Sequence, residues 1–128
     1  MSQKQTGSSL KDLPAFKNFS EKSLQDLLKK CKKFSFTIGQ PISAKGTLGQ
    51  NIFLLLQGEA RLIAENNNTN NTICKYSGGA FIGLSSLLRG EGYEEVSAIE
   101  NSQALAIPAE QIIDLYQSEQ SFKDFCNS

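Results

Sequence analysis

A series of short apolar segments between residues 34 and 107 constrains the fold more than any other feature of the sequence. Phe34, Phe36 and Ile38 alternate with polar residues, as in a strand with one buried face. Residues 52–56 are almost continuously apolar, which predicts a strand buried on both faces. Turn residues separate about eight such segments at intervals of roughly 6–12 residues, and this spacing predicts a barrel or a double-sheet jelly roll.

One turn in this series is unusually polar. Residues 66–71 read Asn-Asn-Asn-Thr-Asn-Asn and offer no side chain that could join a core. We therefore expect a mobile hairpin end here, between strands at residues 59–65 and 72–76.

A helical pattern precedes the strands. Ser20 is a typical helix N-cap residue, and apolar residues recur after it at the spacing of one helix face. These residues are Leu24, Leu27, Leu28 and Cys31. Four lysines crowd the last turn, where cations interact favourably with the helix dipole. No aromatic side chain is interleaved with them, so we interpret them as a solvated helix end and expect no nucleic-acid binding.

Two further helical patterns follow the strands. Pro108 suits the first position of a helix with an apolar face at residues 112–116, and a second short helix is predicted over residues 118–126. The predicted fold is therefore mainly β with flanking helices: an eight-stranded jelly-roll-like β-roll, an N-terminal helix and two C-terminal helices. Residues 1–9 lack any period and are expected to be disordered, which leaves residues 10–128 as one domain.

The composition argues against several classes of protein. The chain has no histidine, and its three cysteines lack metal-ligand spacing, so we expect no metal site. It has no credible nucleophile with a neighbouring base and no Walker motif, so we expect no enzyme. No segment has the length and apolarity of a signal peptide or a membrane span, and an odd cysteine count does not suit a disulfide framework. These features predict a cytoplasmic domain without direct membrane insertion.

The stretch from Gly79 to Ala98 carries the strongest functional signal. Within it, Gly83 precedes a short apolar helical segment, and the backbone N–H groups at such a place can bind an anion. The following loop carries Glu91, Glu94 and Glu95, which would repel a phosphate. The stretch therefore has the backbone of a phosphate cradle with acidic side chains in its loop.

The glycine pattern resembles that of a known family. The glycines of this pattern are Gly46, Gly49, Gly58, Gly79 and Gly83. Together with the apolar strand at 52–56 and the Ala104–Pro108 run into a helix, this pattern is similar to the cyclic nucleotide-binding domain over residues 14–117. The resemblance implies an eight-stranded β-roll flanked by helices, and a non-catalytic regulatory or sensor role in a larger protein.

The resemblance also locates a phosphate-binding cassette at residues 79–98. In the family, its glutamate binds the ribose hydroxyl and an arginine pairs with the cyclic phosphate. Here Leu84 stands at the glutamate position, and Glu91-Gly92 or Gly92-Tyr93 stands at the proline-arginine position. The loss of one charged hydrogen bond weakens binding about 10- to 100-fold. We therefore predict weak, altered or absent binding of cyclic AMP or cyclic GMP.

The candidate ligand-binding residues are Gly83, Leu84, Ser85, Ser86, Arg89, Gly92, Tyr93 and Val96. Two alternatives stay open. Arg89 and the backbone amides could bind the phosphate, which would make the chain a competent cyclic nucleotide sensor. It could instead be a protein-interaction module, whose C-terminal helices contact an output domain or a second copy; the cassette is similar to versions in bacterial export transporters.

Overall fold

The computed structural model describes residues 10–43, 50–66, 69–90 and 95–127. Within them, eight strands and four α-helices confirm the predicted fold class. The strands are β1 (Lys32–Phe36), β2 (Pro41–Ser43), β3 (Asn51–Gln57), β4 (Ala60–Asn66), β5 (Thr69–Tyr76), β6 (Phe81–Ile82), β7 (Glu95–Ala98) and β8 (Ser102–Pro108). The helices are α1 (Glu21–Lys29), α2 (Leu84–Arg89), α3 (Ala109–Ser118) and α4 (Gln120–Asn127), with a short 3-10 helix at Pro14–Phe16.

The strands form two four-stranded sheets. The first sheet has the order β1-β8-β3-β6, and the second has the order β2-β7-β4-β5. Most neighbours are distant in sequence, so the sheets are built from long-range pairings, as in a double-sheet jelly roll.

Apolar side chains from both sheets form the core of the roll. Its buried members are Phe36, Ile42, Leu55, Ala60, Leu62, Ile82, Val96, Ala98 and Ala104, with Phe53 and Tyr76 packed against them. Leu54 and Leu55 are adjacent in β3 and both are fully buried. Successive strand residues point to opposite faces, so the prediction that this strand is buried on both faces is confirmed.

The structure of residues 66–71 differs from the hairpin end that the sequence predicted there. β4 continues to Asn66 and β5 begins at Thr69, with Ala64 paired to Asn71 and Glu65 paired to Asn70. The expected hairpin end is therefore wrong for most of the segment, while residues 67 and 68 lie outside the described part. An antiparallel ladder is held by backbone hydrogen bonds, which do not depend on apolar side chains.

The described parts of residues 1–32 and 107–128 form a separate compact unit of helices. Phe16 lies at its centre, with ring centroids 5.2 Å from Phe19 and 6.2 Å from Phe122. Ser20 caps α1 as predicted, since its Oγ accepts the Ser23 N–H at 3.0 Å. Pro108 is the N-cap of α3 rather than its first helical residue. None of the described helices has the length and apolarity needed to cross a bilayer.

Candidate functional site

The first half of the cassette is fixed to the first sheet. β6 pairs with β3, where Phe81 lies opposite Leu54 and Ile82 opposite Phe53. The turn before β6 is tied to the same strand, because the Gly79 N–H donates to the Leu55 carbonyl at 2.7 Å. The backbone that leads into Gly83 is therefore held by a central strand of the roll.

Gly83 marks the start of the short helix α2. It has a φ of +92°, in the left-handed region that favours glycine. Its carbonyl accepts the Leu87 N–H at 3.0 Å, which is the first hydrogen bond of the helix. The predicted glycine-to-helix transition is thus present.

A second left-handed glycine ends α2. Gly90 has a φ of +72°, and its N–H donates to the Leu87 carbonyl at 3.1 Å. Between the two glycines, Leu84 and Leu87 are half-buried and Leu88 is exposed. Leu84, at the position of the family's glutamate, thus presents an aliphatic side chain at the first helical residue.

The structure does not describe the side chains of several predicted site residues. The side chains of Ser85, Ser86 and Arg89 lie outside the described part of the chain, and so do the whole of Gly92 and Tyr93. The candidate role of Arg89 therefore stays a prediction.

The last predicted residue, Val96, lies in the second sheet. It is opposite Leu62 of β4 on one side and Ser43 of β2 on the other. Val96 is buried and belongs to the same core cluster as Ile82, the residue before Gly83. The fold therefore brings the two ends of the cassette to one apolar core.

The register of β7, β4 and β5 shows which residues lie on each face of the second sheet. Val96, Leu62 and Cys74 occupy one cross-strand row, and the burial of Val96 and Leu62 identifies this face as the inner one. The adjacent row holds Ser97, Arg61 and Lys75. Residues of adjacent rows point to opposite faces, so this second row lies on the outer face.

Sequence reasoning missed two inner-face residues, Cys74 and Tyr76. Tyr76 pairs with Ala60 and packs against the core, whereas Cys74 is exposed. The alternation of residues 72–76 indicated a strand, but only the pairing with β4 shows which of its faces is turned inward.

Arg61 has a defined partner on the outer face. Its guanidinium Nη1 donates to the Thr72 Oγ1 at 3.2 Å. Glu95 alternates with Val96 in β7 and pairs with Ile63, so it also occupies an outer-face position. The charged residues of this sheet with described side chains, Arg61, Lys75 and Glu95, therefore all lie on the face away from the core.

Comparison with known proteins agrees with the resemblance seen in the sequence. The family model of the cyclic nucleotide-binding domain matches residues 33–119. Among curated proteins, no sequence matches the chain significantly.

Three solved structures illustrate the likeness. The Thermus thermophilus catabolite activator protein is 25% identical, with a TM-score of 0.72 over 87% of this chain and 53% of that one. The sensor domain of the transcriptional regulator DNR from Pseudomonas aeruginosa is 13% identical, with a TM-score of 0.84 over 95% of this chain and 83% of that one. The regulatory subunit of a cAMP-independent protein kinase A from Trypanosoma cruzi, bound to guanosine, is 14% identical, with a TM-score of 0.73 over 98% of this chain and 49% of that one. This chain spans about half the length of the first and third of these proteins.

Proposed function

The chain belongs to the cyclic nucleotide-binding domain family, and we propose that it is a non-catalytic sensor or regulatory domain whose affinity for cyclic nucleotides is weak or lost. The observation that carries the proposal is Leu84. It directly follows Gly83 at the start of α2, where the family has a glutamate, and it is half-buried. A leucine side chain accepts no hydrogen bond from a ribose hydroxyl.

The remaining part of the cassette supports the same conclusion. Between Gly83 and Ala98 the sequence has one basic residue, Arg89, and three glutamates. A cyclic phosphate placed there would lack the arginine that pairs with it in the family. The Trypanosoma protein described above shares the fold and is described as cAMP-independent, which supports a role for such a domain without cyclic AMP.

Calorimetric titration of the full chain with cyclic AMP and cyclic GMP tests the proposal. We expect no heat of binding at micromolar ligand concentrations. The variant Leu84→Glu should tighten binding about 10- to 100-fold, because it restores one charged hydrogen bond. A glutamate in the first turn also suits the helix dipole, so the variant should fold.

Leu88→Glu is the matched control, since Leu88 lies on the same helix but is exposed. It adds the same charge away from the glutamate position and should leave affinity unchanged. Micromolar binding of either nucleotide by the unaltered chain would contradict the proposal.

Such a result would favour the second candidate, a competent sensor that uses Arg89. In that case Arg89→Gln should abolish binding, because the phosphate would lose the one basic residue in the sequence from Gly83 to Ala98. Binding that survives this substitution would exclude the role assigned to Arg89.

A further inference from the structure

The outer face of the second sheet brings two cations together. Arg61 of β4 and Lys75 of β5 lie directly opposite each other. Side chains in such a pair begin about 5 Å apart, so like charges there repel each other. Between residues 51 and 106 the sequence has six glutamates and only three basic residues, of which the third is Arg89. Two of the three basic residues are thus paired with each other, in a stretch where glutamates outnumber them.

The sheet itself leaves both charges without a counter-ion. The nearest carboxylates belong to Glu59, two residues before Arg61, and to Glu95 on the neighbouring strand β7. Among the described residues, no carboxylate forms an ion pair with Arg61 or Lys75. The Arg61 guanidinium donates instead to a neutral group, the Thr72 Oγ1, at 3.2 Å. Both positive charges therefore remain free to bind an anion from outside the chain.

Two hydroxyl groups flank the cations on the same face. Thr72 follows β5 toward one side of the pair, and Ser97 of β7 lies opposite Arg61 on its other side. The Thr72 hydroxyl accepts from Arg61 and keeps its own proton to donate. The donors thus come from three adjacent strands. A phosphate group, with at least three free oxygens, can accept from more of them than a carboxylate can, and the guanidinium fork matches two of its oxygens.

We propose that the outer face of the second sheet binds a phosphate group through Arg61, Lys75, Thr72 and Ser97. The bound anion removes the repulsion between the two opposed cations. The site lies on the opposite face of the sheet from Val96 and is therefore distinct from the cassette. Because it does not involve the cassette, the inference stands or falls separately from the proposed function.

Two-dimensional NMR of the full chain, titrated with inorganic phosphate at constant pH and ionic strength, tests the inference. We expect saturable shifts of the backbone amides of residues 61, 72, 75 and 97 at millimolar phosphate. Shifts confined to residues 83–88 would place the anion in the cassette and overturn the inference. The absence of any saturable shift would overturn it as well.

Lys75→Gln should weaken the binding of phosphate about fivefold or more, because it removes a charged donor. Lys33→Gln is the matched control, since Lys33 is an exposed lysine on β1 of the first sheet. It removes the same charge and should leave the affinity unchanged. Equal weakening in the two variants would show general attraction to a basic chain, and an unchanged affinity in Lys75→Gln would show a site elsewhere. Either result would exclude the assignment.

A second ligand shows the source of the phosphate group. O-phosphoserine carries the same group as a monoester. Tighter binding of O-phosphoserine than of inorganic phosphate would assign the site to a phosphate ester, and the reverse order would assign it to the free ion. Both orders support the site, provided that Lys75→Gln weakens the tighter ligand.

Urea unfolding tests the repulsion on which the inference depends. In sodium chloride, Lys75→Gln should raise the unfolding midpoint, because it removes one of two opposed like charges. Replacing chloride by phosphate should then raise the midpoint of the unaltered chain more than that of the variant, since only the former binds the anion well. A midpoint that falls in Lys75→Gln would show that the two cations do not destabilise the sheet, and it would contradict the inference.

Discussion

The β3–β4 turn and the β7–β8 turn approach each other closely at Gly58 and Ser102. Gly58 has a φ of +97°, and a Cβ placed on it would lie 2.7 Å from the Ser102 Cα and still closer to the Ser102 side chain. The Ser102 Oγ accepts the Glu59 N–H at 3.2 Å and donates to the Glu100 carbonyl at 2.8 Å. One buried hydroxyl therefore bridges the β3–β4 turn and the β7–β8 turn.

Gly58→Ala should destabilise the fold more than the same substitution at Gly39. Both glycines are left-handed, with φ of +97° and +84°, but a Cβ on Gly39 would meet nothing within 4 Å. Gly39→Ala should cost about 1–2 kcal/mol for its conformation alone. Gly58→Ala should cost a further ~1–3 kcal/mol for overlap with the backbone of Ser102. Urea unfolding of both variants measures the difference, and equal losses would show that the close approach is not there.

Ser102→Ala tests the bridging hydroxyl. It removes the acceptor of the Glu59 N–H in a part-buried place, and an unsatisfied donor of this kind costs about 1–3 kcal/mol. The same unfolding measurement applies. A stability equal to that of the unaltered chain would show that water replaces the hydroxyl at no cost.

The three thiols should differ in reactivity, because only the thiolate form attacks a disulfide reagent. Cys31 is buried and donates to the Leu27 carbonyl at 3.1 Å, and burial raises its pKa to about 11. Burial also raises the pKa of Cys126, whereas Cys74 is exposed.

At pH 8, we expect one thiol per folded chain to react fast in a colorimetric assay, and Cys74→Ser should remove this fast reaction. The Cys31 rate should rise until the pH reaches about 11; fast reaction of Cys31 at pH 8 would contradict its burial.

At the scale of the element, α1 depends on its cap. Ser20 accepts the Ser23 N–H through its side chain, and its carbonyl accepts the first helical hydrogen bond from Leu24. Ser20→Ala should destabilise the chain by about 1 kcal/mol, while Ser20→Asp should preserve stability, since aspartate is an equally good cap. Thermal unfolding compares the two. An unchanged midpoint for Ser20→Ala would show that α1 does not need the side chain.

The β4–β5 hairpin shows what local patterns can and cannot predict. The alternation of residues 59–65 correctly predicted β4. The pairing, however, passes from Leu62 opposite Cys74 to Ile63 opposite Thr72, so Ile73 is an extra residue in β5. Such a bulge depends on contacts between two strands and leaves no period in either one. Bulges also interrupt exposed edges, and β5 is the edge of its sheet.

In the candidate site too, some features could be predicted from the sequence and others could not. Gly83 could be identified from the sequence, because a left-handed residue before a helix requires a particular amino acid. The inner-face positions of Cys74 and Tyr76 could not, because they follow from the register between β4 and β5. The sequence thus predicted the transition from Gly83 into α2, and only the strand pairing shows which residues of the second sheet face the core.

At the scale of the whole molecule, the alternative that the C-terminal helices contact a second copy stays a prediction that can be tested. Ile113 of α3 is 43% exposed, although isoleucine is usually buried. That alternative places α3 and α4 in the contact. Light scattering should then show a mass that rises from 14.0 kDa toward twice that value with concentration. Ile113→Glu should keep the chain monomeric, because it places a charge in the apolar contact.

Ile38→Glu is the control for this experiment. Ile38 is 70% exposed in the turn between β1 and β2, outside the helical unit. Both substitutions make the same chemical change at an exposed isoleucine, so both variants should fold. Association that survives Ile38→Glu but not Ile113→Glu places the contact on α3. A constant mass of 14.0 kDa at every concentration would contradict the contact with a second copy.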